Sequence, residues 1–182
     1  MVEHDPGAIL SAFAEALADL LQDTDLVRAG PEEISITTEL AMRMDRYFAG
    51  WRVSPEWTRR EAEEKKIAWN DEAGALRLKK IRPDIIVHHM HKQDENLLVV
   101  EAKRVQNTSF EDDIRKLTLM TLEHSVHPEY HYGYIVGVHL VIDLPDRFVA
   151  RHDVYRWGTI NAELTAWFAA ALAAAIQRRT PA

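Results

Sequence analysis

The chain has no cysteine. Disulfides, zinc–thiolate sites and cysteine nucleophiles are therefore excluded, and a cytoplasmic setting is the expectation. Its front lacks basic residues: Met1-Val2-Glu3-His4-Asp5 has no positive n-region, so no secretory signal is expected. Long apolar runs are missing as well. The longest, Ala166 to Ile176, is mostly alanine and too short to span a bilayer. There is no repeat and no low-complexity linker. The 182 residues are thus expected to form a single domain, long enough to bury a core without staples.

Positive charge is scarce only at one end. Residues 1–40 hold nine acids and one base, whereas the other 142 residues hold twenty acids and twenty-one bases. The overall charge of −7 argues against a strong nonspecific polyanion binder, but its distribution softens that objection. Arg59, Arg60, Lys65, Lys66, Arg77, Lys79, Lys80 and Arg82 form a locally basic stretch that could hold a phosphate backbone. The plainer reading is a solvated, charge-mixed hairpin, because Glu61, Glu63 and Glu64 are interleaved.

Periodicity predicts a helix over Pro6 to Leu21, capped by Asp5 with proline at its first position. Asp23 to Pro31 reads as a loop. A second helix is predicted from Thr37 to Phe48, with Leu40, Met44, Tyr47, Phe48 and Trp51 as its buried stripe. The middle reads as β-rich: a strand over Trp51 to Arg59, a hairpin from Ile67 to Lys80 turning at Asp71-Glu72-Ala73-Gly74, then strands over Asp84 to Met90 and Leu97 to Lys103. A helix over Phe110 to Glu123, a long strand over Tyr132 to Ile142, a short strand at Val154 to Trp157 and a last helix capped by Asn161 complete the chain. The fold class expected is α/β, a central mixed sheet flanked by helices, with extra helices at both termini.

Arg82-Pro83-Asp84 opens one strand and Glu101-Ala102-Lys103 closes the next. Strand side chains alternate, so Asp84, Ile86 and His88 share a face, as do Val99, Glu101 and Lys103. A symmetric six-residue loop would pair His91 with Asn96 and set Asp84 opposite Lys103, with Glu101 one diagonal step away. Slipping by one residue would send Glu101 to the other face. Two carboxylates and a lysine at adjacent strand ends suit metal-assisted phosphoester hydrolysis. The dull alternative is a salt bridge from Lys103 to either acid.

Ile81-Arg82-Pro83-Asp84-Ile85-Ile86-Val87, followed by Asn96-Leu97-Leu98-Val99-Val100-Glu101-Ala102-Lys103-Arg104, resembles the signature of the PD-(D/E)XK, or restriction-endonuclease-like, nuclease superfamily. The resemblance covers the core, about residues 37–142, and names no subfamily. It implies a magnesium-dependent nuclease, with manganese able to substitute, in which Asp84, Glu101 and Lys103 are catalytic. It implies Asp84 and Glu101 as metal ligands. Glu39 on the first core helix is the matching candidate for a further catalytic and metal-ligating carboxylate, although it could simply pair with Arg43 one turn on. Lys116, on the helix after Glu-x-Lys, and Arg82 are weaker candidates for substrate binding. DNA is favoured over RNA as the partner, and a homodimer is the simplest way to cut two strands.

Two other readings stay open. One is a non-catalytic member of the same fold that binds nucleic acid or protein. The other is a histidine-metal nuclease using His89 near Asn96. His88 is a poor ligand for the Asp84 metal, because four strand steps separate the two by roughly 13 Å. The chain shows no helix-turn-helix or zinc-finger module that would read sequence.

Overall fold

The computed structural model describes residues 4–60, 63–90, 92 and 95–179. Its centre is a six-stranded mixed sheet. The strands are β1 (Arg52–Pro55), β6 (Ile85–His88), β7 (Asn96–Arg104), β8 (Val136–Asp143), β9 (Phe148–Arg156) and β10 (Thr159–Ile160), in that spatial order. Only β7 and β8 run parallel. Between β1 and β6 the chain forms β2 (Arg59–Arg60), β3 (Glu63–Glu64), and the hairpin of β4 (Lys66–Asn70) with β5 (Leu76–Lys80). The helices are α1 (Pro6–Gln22), α2 (Thr24–Ala29), α3 (Glu33–Met44), α4 (Glu111–Met120) and α5 (Ala162–Arg179). The expected class, a mixed sheet flanked by helices, is observed. Among the described residues no helix is long and apolar enough to cross a membrane.

Strand alternation divides the core in two. Ile85, Val87, Leu98, Val100, Ala102, Val138, Leu140 and Ile142 face α1, α3 and α5 in the larger cluster. Ile86 and Val99 face the other way, where Leu117 and Met120 of α4, Ile67 of the hairpin and Tyr132 and Tyr134 meet them. Both faces of β7 are covered, which is why its sequence is an unbroken apolar run up to Glu101. The second face carries the site.

Four expectations are corrected. Asp23 to Pro31 contains a short helix: Asp23 accepts from the amides of Asp25 and Leu26, and Gly30 ends it in the left-handed region at φ 58°. The second long helix starts at Glu33, four residues before Thr37, because Thr37 and Thr38 are interior. Their hydroxyls donate back to the Ile34 carbonyl instead of capping. The long strand starts at Val136, with Tyr132 and Tyr134 packed as core before it. And β9 is nine residues long, not a short strand at Val154; its charged Arg151 and Asp153 mask the alternation.

Gly137 explains how closely α4 rides on β8. A Cβ there would lie 2.9 Å from Thr121 Cγ2 and 3.0 Å from Leu117 Cδ2. Gly137→Ala should therefore push α4 off the sheet and destabilise by about 1–3 kcal/mol, the usual cost of overpacking. A thermal melt should fall by roughly 2–4 °C per kcal/mol for a chain of this size. An unchanged melting temperature would show that this contact is not tight.

Candidate active site

The β6–β7 register pairs Ile85 with Val100, Ile86 with Val99 and Val87 with Leu98, and shifts at His88, which meets Asn96. Carried one residue further, it sets Asp84 opposite Glu101, not opposite Lys103 as the symmetric loop implies. The difference is two residues. An even slip preserves the face of every side chain, so the convergence of Asp84, Glu101 and Lys103 survives it. The departure arises at the loop, where His88 and not His91 meets Asn96, a shift of three residues of which the irregularity at Val87/His88 gives back one. His91 lies outside the described residues.

Asp84 is part-buried and its Oδ2 accepts from the Ala102 amide at 2.8 Å. Burial pushes its carboxyl above the usual aspartate range, despite that hydrogen bond and the nearby lysines. Glu101 is 0% exposed. Burial, then the charge of Asp84, drives its carboxyl well above the ordinary glutamate value. Lys116 donates to its Oε2, and Oε1 has no hydrogen-bond partner among the described residues. Lys116 also meets Asp113 Oδ1 at 3.0 Å, one turn earlier on α4. Lys103 donates to Glu33 Oε1 at 3.0 Å and lies 3.4 Å from Asp113 Oδ2. Burial works to lower the pKa of Lys103, but the Glu33 hydrogen bond and the charges of Asp113 and Asp84 outweigh it, so the ammonium is held more firmly than in water. Lys116 is raised likewise: burial opposes, while Glu101 and Asp113 prevail.

Of the sequence candidates, Asp84, Glu101, Lys103 and Lys116 come together. Arg82 stands at the rim, exposed, with Glu56 3.4 Å away. Glu39 does not come to the cluster. It lies six residues along α3 from Glu33, about 9 Å of helix, and pairs with Arg43 at 2.5 Å. The helix carboxylate that reaches the strand end is Glu33, whose Oε2 also accepts from the Arg104 amide at 3.2 Å. Locating it required the true start of α3. Asp113 was missed too. Its signal was available: Asp113, Lys116, Leu117 and Met120 fall on one helical stripe, so an acid sits where an apolar residue is expected.

The histidines lie elsewhere or deeper. His88 is buried against Ser54 Oγ at 3.2 Å, and burial pushes its pKa down to about 4. His89 stacks on Trp51 at 4.0 Å and lies 3.5 Å from Glu95. His139 was not foreseen. It pairs in register with Glu101 across β7–β8 and is fully buried edge-on to Phe110, and burial lowers its pKa.

Beside the cluster a cleft of about 350 Å³ opens between the β4–β5 hairpin and α4, with Lys103, Asp113 and Lys116 in its lining. Among the described residues no group of three or more histidine, aspartate or glutamate side chains is spaced to hold a metal ion. Magnesium asks for less: one or two carboxylates, with water and substrate oxygens completing the shell. Asp84 and Glu101 fit that need. Both are hard oxygen donors, Glu101 feels the charge of Asp84, and one Glu101 oxygen is buried without a hydrogen-bond partner among the described residues. No protein-family model, curated protein or solved structure matches the chain.

The raised carboxyls make a stability prediction. A carboxyl whose folded pKa lies above its unfolded value binds more protons folded than unfolded, so it costs stability as pH rises past the ordinary aspartate value of 3.8. Asp84→Asn should then melt above wild type at pH 8 without divalent ions, and the gap should close as pH falls toward 3.8. A variant that melts lower at pH 8 would mean that the Asp84 carboxylate stabilises the fold.

Proposed function

We propose that the chain is a magnesium-dependent nuclease hydrolysing phosphodiester bonds, with DNA ahead of RNA as substrate. The observation that carries the reading is the meeting of Asp84, Glu101 and Lys103 on one sheet face at the ends of β6 and β7, beside an open cationic cleft. The Pro-Asp and Glu-x-Lys resemblance and a mixed sheet flanked by helices support a restriction-endonuclease-like core.

In this reading Asp84 and Glu101 would hold the metal, which when bound supplies Lewis-acid activation of a phosphoryl oxygen and of water. The chain's own groups do the rest. Lys103 is locked as an ammonium by Glu33 and Asp113, so it serves as a fixed positive charge against the phosphate rather than as a base. Lys116 neutralises Glu101 while the site is free. Asp113 fixes both ammonium groups by bridging them, and it anchors α4 to the strand ends. Arg82 stands where an incoming backbone would pass.

A non-catalytic binding protein of the same fold is the competing reading. The chain of ion pairs Glu33–Lys103–Asp113–Lys116–Glu101 favours it, since such a network needs no metal. Asp84 tells against it. It makes no ion pair among the described residues, and burying a second carboxyl beside Glu101 is costly unless something cationic joins it.

Substitution separates the two. Lys103→Ala, Asp84→Ala and Glu101→Ala should each lower magnesium-dependent cleavage by about 10²-fold or more. His88→Ala and Glu39→Ala should keep most of it, because neither side chain reaches the cluster. Near-normal cleavage by folded Glu101→Ala would falsify the assignment. Magnesium at about ten times its Kd should raise the melting temperature by roughly 3–6 °C, equivalent to about 1.4 kcal/mol. That shift should vanish in Asp84→Ala, and an equal shift in both proteins would place the ion elsewhere.

A further inference from the structure

The cleft has a depth and a width, and both bear on what can enter. Its floor is Lys103, Asp113 and Lys116, all largely buried, with the fully buried Glu101 beneath Lys116. One wall is β5 and the residues that follow it, with Lys79, Lys80 and Arg82. The other is the loop and first turns of α4, with Asn107, Ser109 and Asp112. At the rim the two walls touch. Lys79 Nζ, 43% exposed, lies 2.6 Å from Asp112 Oδ1, 62% exposed. The gap is therefore one that a single lysine and a single aspartate close between them.

The hairpin is not free to swing away. Ile67 is buried with Leu117 and Met120 of α4. Arg115 of α4 lies over the Trp69 ring at 4.8 Å. The Tyr132 hydroxyl clasps Lys66 at both its amide and its carbonyl, at 3.0 and 2.8 Å. Opening the wall would break all three. Opening the rim needs only the exchange of an exposed ion pair, which is weak.

We propose that this cleft admits a single nucleic-acid strand, with Lys79, Lys80 and Arg82 taking its phosphates, and excludes an intact duplex. The inference rests on the nuclease reading and names its substrate class. Each of the three cations now has an acidic partner at the rim: Asp112 for Lys79, Glu64 for Lys80 at 2.5 Å and Glu56 for Arg82 at 3.4 Å. A phosphate replaces these carboxylates one for one as the strand is laid in. A duplex brings two backbones and a stack of base pairs to a side-chain-wide gap, and its phosphates cannot descend to Lys103 and Lys116. Charge alone would favour the duplex, which has the higher charge density. A preference for the single strand must therefore come from shape.

The test is binding first, cleavage second. A labelled 20-mer, single-stranded or as a blunt duplex, is titrated with the full chain at low salt without divalent ions, and anisotropy is read. Single-strand affinity at least tenfold above duplex affinity is expected. Lys80→Ala with Arg82→Ala should weaken single-strand binding and flatten its salt dependence by about 1.4 in log–log slope. Asp112→Asn should strengthen single-strand binding severalfold, by freeing Lys79, and leave duplex binding unchanged. Equal or tighter binding of the duplex, no binding of the single strand, or equal gains for both ligands in Asp112→Asn overturns the proposal. With magnesium, single strands and unpaired flaps should be cut and blunt duplex spared, and equal cutting of the duplex interior overturns it as well. A strong single-strand preference with no cleavage of any substrate supports the cleft and defeats the nuclease reading, so the two fail separately.

Discussion

A carboxylate with no exposure to water governs the second face of this protein. Glu101 ends an apolar strand whose neighbours are core on both sides, and a buried charge there must be answered locally. Lys116 answers it from α4. Lys116 is in turn held by Asp113, Asp113 approaches Lys103, and Lys103 is tied to Glu33 at the start of α3. The order of contacts explains the architecture around the site. α4 must lie with its first turns over the β7 end, and Gly137 lets the rest of that helix settle onto β8. α3 must begin early enough for its first carboxylate to reach around the strand end. Breaking such a chain by removing one partner is far worse than never having built it, because the remaining charge stays buried. A fold seeking stability alone would place leucine at 101.

Parity, more than detailed register, made the face of the candidate site readable. Asp84, Glu101 and Lys103 share a face under any even slip of β6 against β7, and the observed slip is two. Alternation in Leu97 to Lys103 needed no loop geometry. Lys116 was a candidate only through the resemblance, which implies a polar residue from the helix after Glu-x-Lys, and it does reach Glu101. What failed was anything that depended on where an element starts. Glu39 and Glu33 differ by six residues, and a helix begun at Thr37 leaves Glu33 outside it, whereas Thr37 in fact sits inside the helix. Threonine does both, since its hydroxyl satisfies either an orphan amide or a carbonyl one turn back. Asp113 and His139 failed for a different reason. Each sits at an inward position of an otherwise apolar period, and a polar residue there reads as an interruption until the partner across the gap is known.

Net charge was misleading until it was resolved in space. The acids of the first forty residues lie mainly in the helical layer behind the sheet. There Arg178 and Arg179 of α5 meet Glu15 and Asp19 of α1, and Arg43 meets Asp23 and Glu39. The cleft lies on the opposite face, where the hairpin places its lysines. A chain of charge −7 can thus present a cationic groove on one side, because screening over about 10 Å at 0.1 M salt separates the two faces.

The two layers also answer protons in opposite senses. Burial disfavours the charged forms of Glu15 and Asp19, but their hydrogen bonds to Arg179, with Arg178 and Tyr47 assisting, hold both carboxyls below the ordinary range. Such groups stabilise the fold above their unfolded values and lose that contribution as pH falls through the folded ones. Asp84 and Glu101 are raised instead, so acid relieves them and alkali strains them. Acidification therefore loosens the helical layer while it relaxes the site. At neutral pH the reverse holds, and the protein keeps its electrostatic strain where α4, β6 and β7 meet. A bound cation relieves strain of that sign without a proton, by favouring the charged forms of both carboxyls. The α1–α5 arginines cannot offer this to the site, since they lie across the sheet. Lys103 and Lys116 offer it only in part, because the carboxyls remain raised with both ammonium groups already in place.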